Sequence, residues 1–249
     1  IPDLSNSEGM HTNAVYGFLN VMFKILDEEK APYLAVAFDL SAPTFRHKMF
    51  EGYKGTRKPM PEELRSQVPV IQEVLQAMQI ETMSMEGYEA DDILGTVSRQ
   101  CEAEGFEVSI LSGDRDLLQL ATDKIKIRIP KTKMSGTEVE DYYAKEVEAK
   151  YGVTPKEFID MKALMGDASD NIPGVPGIGE KTASKIISAY HSIENAYAHA
   201  DEIKPKKASE NLKTYYEQAQ MSKTLAAINT DCGYVLDIQK ATADHMYNE

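Results

Sequence analysis

The heptapeptide Glu86-Gly87-Tyr88-Glu89-Ala90-Asp91-Asp92 runs directly into a helix-like segment, 93–102, and places three carboxylates within four residues. Glu89 and Asp92 stand three apart and share a helix face, while Asp91 lies in the same first turn. Acids at a helix start complement the macrodipole, which is one reading of the stretch taken alone. A cation site is the other, and acids elsewhere in the chain give it weight.

Outward from this point, residues 80–85 read as a strand entering the acidic turn, and Leu64, Val68, Ile71, Leu75 and Met78 mark an amphipathic helix before it. Gly105 closes the acidic helix, and 106–111 reads as a strand running into Ser112-Gly113-Asp114-Arg115-Asp116. Further upstream, Val15, Phe18, Leu19, Met22, Phe23 and Leu26 predict a helix over 13–29. The apolar run 34–38 predicts a buried parallel strand ending at Asp39, and residues 1–10, Asp3 included, read as a polar loop. The strict alternation in 124–129 (KIKIRI) predicts a one-sided or edge strand. Strands alternating with helices imply an α/β fold: a twisted, mostly parallel sheet flanked by helices, with ligands at the strands' carboxyl ends.

The 249 residues carry a formal net charge of −13, which on an even distribution argues against nucleic-acid binding. The distribution is not even. Residues 45–60 (FRHKMFEGYKGTRKPM) hold Arg46, Lys48, Lys54, Arg57 and Lys58 against Glu51 alone, with Phe45, Phe50 and Tyr53 interleaved. Such a mixture suits a surface that tracks a phosphate backbone and stacks bases, and it equally suits a solvated loop. No apolar run is long enough to span a bilayer, and no signal-peptide pattern opens the sequence. With only Cys101 and Cys232, and Cys101 on the apolar stripe of Ile93, Leu94 and Val97, a buried thiol is expected and a disulfide framework or zinc site is not.

After Thr154-Pro155, a helix ends at Gly166 and a loop adds Asp167 and Asp170. Gly177-Ile178-Gly179 then opens another helix, whose free N–H groups, with Lys181 and Lys185 beside them, suit a phosphate; ordinary helix-hairpin packing is the other reading. Residues 211–227 read as one or two helices.

Four blocks, FDLSAPTFRHKMFEGYKGTRKP (38–59), GYEADDILGT (87–96), SGDRDLLQL (112–120) and LMGDASDNIPGVPGIGEKTA (164–183), closely resemble the successive signatures of the bacterial DNA polymerase I 5′ nuclease domains, within the flap endonuclease family. The resemblance implies a nuclease core over 1–150, with a helical arch at about 45–65, and a helix-hairpin-helix DNA-binding region over 151–249. It implies a structure-specific 5′ nuclease that removes 5′ flaps and RNA primers from branched or nicked duplexes in replication and repair. Asp39, Glu89, Asp91, Asp114 and Asp116 match the family's inner metal positions, and Asp92, Asp167 and Asp170 the outer ones. Lys54 and Arg57 match arch residues near the scissile phosphate. Arg46, Tyr53, Lys58, Lys181 and Lys185 are expected at the DNA, as are Gly174, Gly177 and Gly179, whose hairpin also holds K⁺ in family members.

The chemistry of the residues agrees. Eight carboxylates brought together without cations would repel one another into partial protonation, whereas two Mg²⁺ or Mn²⁺ ions, with water and phosphate completing their shells, make the cluster tolerable. Members of the family also begin with a central strand ending in an Asp-Gly pair, which does not occur before Asn13. Two readings follow: a piece of a longer protein in which a polymerase domain follows, or a form that binds branched DNA without cutting it. A monomer in the bacterial cytoplasm, associated with the nucleoid and not with membrane, is the accompanying expectation.

Overall fold

The computed structural model describes residues 4–133 and 136–247. Asp3 lies outside the described residues, as does the start of the loop expected over 1–10.

Helix α1 (Asn13–Glu29) forms over its expected span. It buries Met22 and Leu26 against Ile71, Leu75 and Ile80. Strand β1 (Ala35–Ala37) precedes a partly helical stretch with α2 (Phe45–Met49), α3 (Glu62–Arg65) and α4 (Gln67–Ala77). The single helix expected over 64–78 divides at Ser66 because Pro69 has no N–H to donate to Arg65. Strand β2 (Glu81–Met83), helix α5 (Ala90–Ala103) and strand β3 (Val108–Leu111) follow, then a 3₁₀ turn over Arg115–Leu120. Strands β4 (Ile125–Lys133) and β5 (Gly136–Tyr142) form a hairpin ahead of α6 (Ala144–Tyr151).

The fold is mixed α/β, with parallel β1–β2 and β3–β4 pairs as expected. Its sheet, however, is in two parts, β1–β2 and β3–β4–β5. Among the described residues no strand joins β1 to β3, and an apolar cleft of about 540 Å³, lined by Leu34 and Val36 on one side and Val108 and Ile110 on the other, lies where both sheets contribute. A second correction concerns β4, which is central, parallel to β3 and antiparallel to β5. Its polar side is covered by ion pairs: Lys126 meets Glu29, and Arg128 meets Glu28, Glu29 and Asp141. Alternation alone does not distinguish such a face from one open to water.

The largest core joins Ile125, Ile127 and Ile129 of β4 to Phe158, Met161 and Leu164 of α7 (Pro155–Met165) and Ile186 and Ile187 of α8 (Glu180–Tyr190). Thr154 accepts the Glu157 N–H and starts α7. Three more helices follow, α9 (Ile193–Ala198), α10 (Lys206–Thr214) and α11 (Tyr216–Ala226). From there residues 228–247 run back over the amino-terminal part. Cys232 N–H donates to Thr96 Oγ1 at 3.0 Å, Leu34 N–H to Ala241 O at 2.7 Å and Ala243 N–H to Pro32 O at 2.7 Å. Both cysteines are free, and Cys101 is only half-buried. Among the described residues no helix is long and apolar enough to cross a membrane.

Between α7 and α8 two glycines meet backbone to backbone. A Cβ on Gly174 (φ +61°) would lie 2.4 Å from Gly166 N and 2.8 Å from Leu164 O. Gly174 N–H donates to Ser222 Oγ and its carbonyl accepts from Gln218. Gly179, by contrast, has nothing within 4 Å of a Cβ. Gly174→Ala is therefore expected to lower unfolding free energy by at least about 2 kcal/mol and Gly179→Ala by less than about 1 kcal/mol, measured by denaturant titration.

Candidate active site

Each candidate acid sits where a regular element stops or starts. Asp39, just past β1, accepts the Ala90 N–H at 2.7 Å, which fixes it against the first residue of α5. Glu89 is the N-cap residue of α5, and Asp91 lies in the first turn. Asp114 follows β3 and accepts the Asp116 N–H at 2.8 Å, starting the 3₁₀ turn that carries Asp116. Beyond α7, Asp167 accepts the Ser169 N–H at 2.7 Å and its hydroxyl at 2.6 Å, shaping the loop that holds Asp170.

These elements bring the acids into one electrostatic neighbourhood. Burial pushes the Asp91 carboxyl up to about 7, and Asp114, Glu89 and Asp39 add repulsion in the same direction. Burial likewise raises Asp116 to about 6; Asp114 and Asp167 push it further, and Lys162 opposes them. Burial also works against charge on Asp167, yet hydrogen bonds from Lys162 and Ser169 hold it down at about 2.

Cations reach into the acids from two sides. The Lys54 ammonium bonds Glu89 and the Arg57 guanidinium bonds Asp170, so both cations point at the carboxylates. From α7, Lys162 pairs with Asp116 at 2.9 Å and with Asp167. Tyr53 joins the two groups, its hydroxyl donating toward Glu89 Oε2 at 3.0 Å and Asp170 Oδ2 at 3.2 Å. Among the described residues, no three Asp, Glu, His or Cys side chains close around a single point. Lys54, Arg57 and Lys162 stand among them instead.

Four sequence expectations need correction. Asp92 is 0% exposed, and its oxygens accept both Arg46 terminal nitrogens at 2.8 Å, the Glu89 N–H at 3.0 Å and the Asn229 N–H at 2.8 Å. A carboxylate so fully engaged is a structural anchor and presents no free oxygen to the other acids. Arg46, expected at the DNA, is buried; besides Asp92 it bonds Glu89 and the carbonyls of Leu225 and Ala227. Tyr53 is 3% exposed and offers no ring face for a base. Gly174 is buried with both backbone groups engaged, whereas Gly177, Gly179, Lys181, Lys185 and Lys58 lie on the surface.

Lys162 is the site residue that the motifs did not single out. Its signal was a lone cation inside the apolar stretch Met161-Lys162-Ala163-Leu164-Met165, where a charge requires a buried partner.

Comparison with known proteins places these features in context. Residues 1–152 match the family model described as the 5′-3′ exonuclease N-terminal resolvase-like domain, and 153–249 match the 5′-3′ exonuclease C-terminal SAM fold. DNA polymerase I of Bacillus subtilis (strain 168) is 52% identical over 231 residues, covering 93% of this chain and 26% of that protein. DNA polymerase I of Bacillus caldotenax is 49% identical over 238 residues, covering 96% and 27%. The chain thus spans about a quarter of the length of these relatives. Among solved structures, the bacteriophage T5 5′-exonuclease with bound zinc aligns with TM-score 0.71 at 24% identity, covering 87% of this chain and 82% of that one. The catalytic core of Rad2 in complex with DNA substrate aligns at 0.57 and 17% identity, covering 95% and 78%. At these identities the two structures show the shared fold.

The raised carboxyls make stability depend on pH. Between about pH 4 and pH 7 the native state holds protons on Asp91 and Asp116 that the unfolded chain has released, so metal-free stability falls as pH rises through that window. Asp167 acts oppositely, contributing stability above its ordinary value of 3.8 that is lost as pH falls toward about 2. Asp91→Asn is expected to raise the stability of chelator-treated protein by roughly 1–3 kcal/mol at pH 8 and to leave it nearly unchanged at pH 4, read by denaturant unfolding.

Proposed function

The chain belongs to the 5′-3′ exonuclease family, and on that premise we propose that it is a divalent-metal-dependent 5′ nuclease acting on flaps, nicks and RNA primers in duplex DNA. The observation that carries the reading is the meeting of Asp39, Glu89, Asp91 and Asp114 from three parts of the chain: Asp39 accepts the Ala90 N–H at 2.7 Å, and Asp91, raised to about 7 first by burial, is pushed further by Asp114, Glu89 and Asp39. The fit to a metal rests on the donors, which are all carboxylate oxygens in mutual repulsion, the combination that hard divalent cations relieve.

Asp39, Glu89, Asp91, Asp114 and Asp116 would hold one ion, and Asp167 and Asp170, with Asp116 beside them, a second, Mg²⁺ or Mn²⁺ in either case. Such ions supply Lewis acidity and a water of lowered pKa for in-line displacement at phosphorus. The chain's own groups bind and orient the phosphodiester. Lys54 and Arg57 project onto Glu89 and Asp170 from the arch, where a phosphate brought to the acids would meet both cations. Lys58 extends the cationic surface. Gly177, Gly179, Lys181 and Lys185 at the start of α8 suit a backbone phosphate away from the cut, read without regard to sequence, and the turn's carbonyls suit K⁺. We assign to the same proposal a polymerase domain that follows, a monomeric state, and action in the bacterial cytoplasm on nucleoid DNA.

Binding of branched DNA without cleavage is the competing reading, favoured by the pairing of Lys54, Arg57 and Lys162 with the acids. Incubation of a 5′-labelled flap with Mg²⁺ or Mn²⁺ separates the two. Cleavage is expected, with Asp114→Ala lowering its rate by about 10³-fold or more while flap affinity stays within about threefold. Lys54→Ala is expected to cost about 10²-fold in rate. Metal-independent behaviour, or parallel loss of binding and cutting in a folded Asp114→Ala protein, would sink the nuclease assignment.

A further inference from the structure

Lys162 is 7% exposed and lies within the apolar run of α7. Its ammonium lies 2.9 Å from Asp116 Oδ1 and also bonds Asp167 Oδ2. One acid follows β3 and the other follows α7, so a single cation ties together two separately built parts of the site. The Asp116 and Asp167 side chains are only 14% and 15% exposed, which leaves water little room to screen either charge. Removing the ammonium would leave two close, poorly hydrated anions without compensation.

We propose that Lys162 is the resident cation of Asp116 and Asp167, holding the two together where a divalent ion would otherwise bridge them and thereby weakening divalent binding by that pair. This rests on the metal-dependent reading above. An ammonium and a divalent ion compete for the same carboxylate oxygens. The ammonium is tethered to α7 and always present, so the pair stays together between metal-binding events. Lys162 is in this sense a positioning residue: it sets the geometry and the metal affinity of the pair.

Calorimetric titration of the metal-free 249-residue chain with Mn²⁺ tests the proposal. Lys162→Met is expected to bind Mn²⁺ about tenfold tighter than wild type, and to melt at lower temperature without metal, with the difference closed by Mn²⁺. A merely structural lysine would give the lower melting temperature but not the tighter binding. Lys162→Arg keeps the charge and is expected to stay within about threefold of wild type. Adding Asp167→Asn to Lys162→Met is expected to abolish the gain. Should Lys162→Met not fold without metal, its recovery on adding Mn²⁺ supports the proposal, and failure to recover overturns it. Unchanged or weaker Mn²⁺ binding by folded Lys162→Met overturns it too. Flap cleavage by the wild type judges the nuclease reading separately. A tighter-binding variant beside a wild type that cuts nothing keeps the role of Lys162 and removes the nuclease, whereas Mn²⁺ binding to neither protein removes both.

Discussion

Carboxylates held as near one another as Asp39, Glu89, Asp91 and Asp114 repel, and the fold around them is arranged to bear that repulsion. Their backbones come from the ends of β1 and β3 and the start of α5, elements whose packing is settled by apolar residues such as Ile93 and Ile110. The core therefore dictates where the acids stand, and their mutual energy is a consequence imposed on them. Protonation of Asp91 and Asp116, capture of cations, and hydrogen bonds from Ser169 and Ala90 are the available ways of lowering it. The cations and the hydrogen bonds are both in place in the structure.

One buried ion group carries much of the remaining architecture. Arg46 directs its nitrogens to Asp92, Glu89 and the carbonyls of Leu225 in α11 and Ala227 just past it, joining α2, α5 and the end of α11 at one guanidinium. Glu89 thus has two cationic neighbours of different kinds: a buried one in Arg46 and a more exposed one in Lys54. The planar fork suits the buried position, where two carboxylates need bonds in set directions, and the flexible ammonium suits the outward one.

Most of the helices were legible because their apolar spacing alone determines which face is buried, as α1 shows over all of 13–29. The acids of the site were legible for a related reason: each lies at the boundary of a recognisable element. What failed was any inference about direction. Glu89, Asp91 and Asp92 are neighbours in sequence, yet Asp92 turns inward to Arg46 while Asp91 faces Asp114, and nothing in the spacing states which carboxylate meets a guanidinium. The basic island misled in the same way. Composition located five cations, but Arg46 is interior and only a long-range contact with residues 225–227 reveals it. The central position of β4 was hidden because its polar face is paired with Glu28 and Glu29, a hundred residues earlier in the chain.

The returning segment 228–247 bears on the order in which the molecule can be made. It supplies Ala241 O to the Leu34 N–H, Tyr247 to Ala31 and Asn229 to Asp92, all of them partners for residues translated long before it. A polypeptide growing from its amino end leaves the ribosome with those early groups still hydrated and with α5 uncovered on one flank. The acidic cluster, which borders Asp92, has its full set of neighbours only with residues 228–247 in place. Nascent chains therefore carry the acids well before they carry the assembled centre.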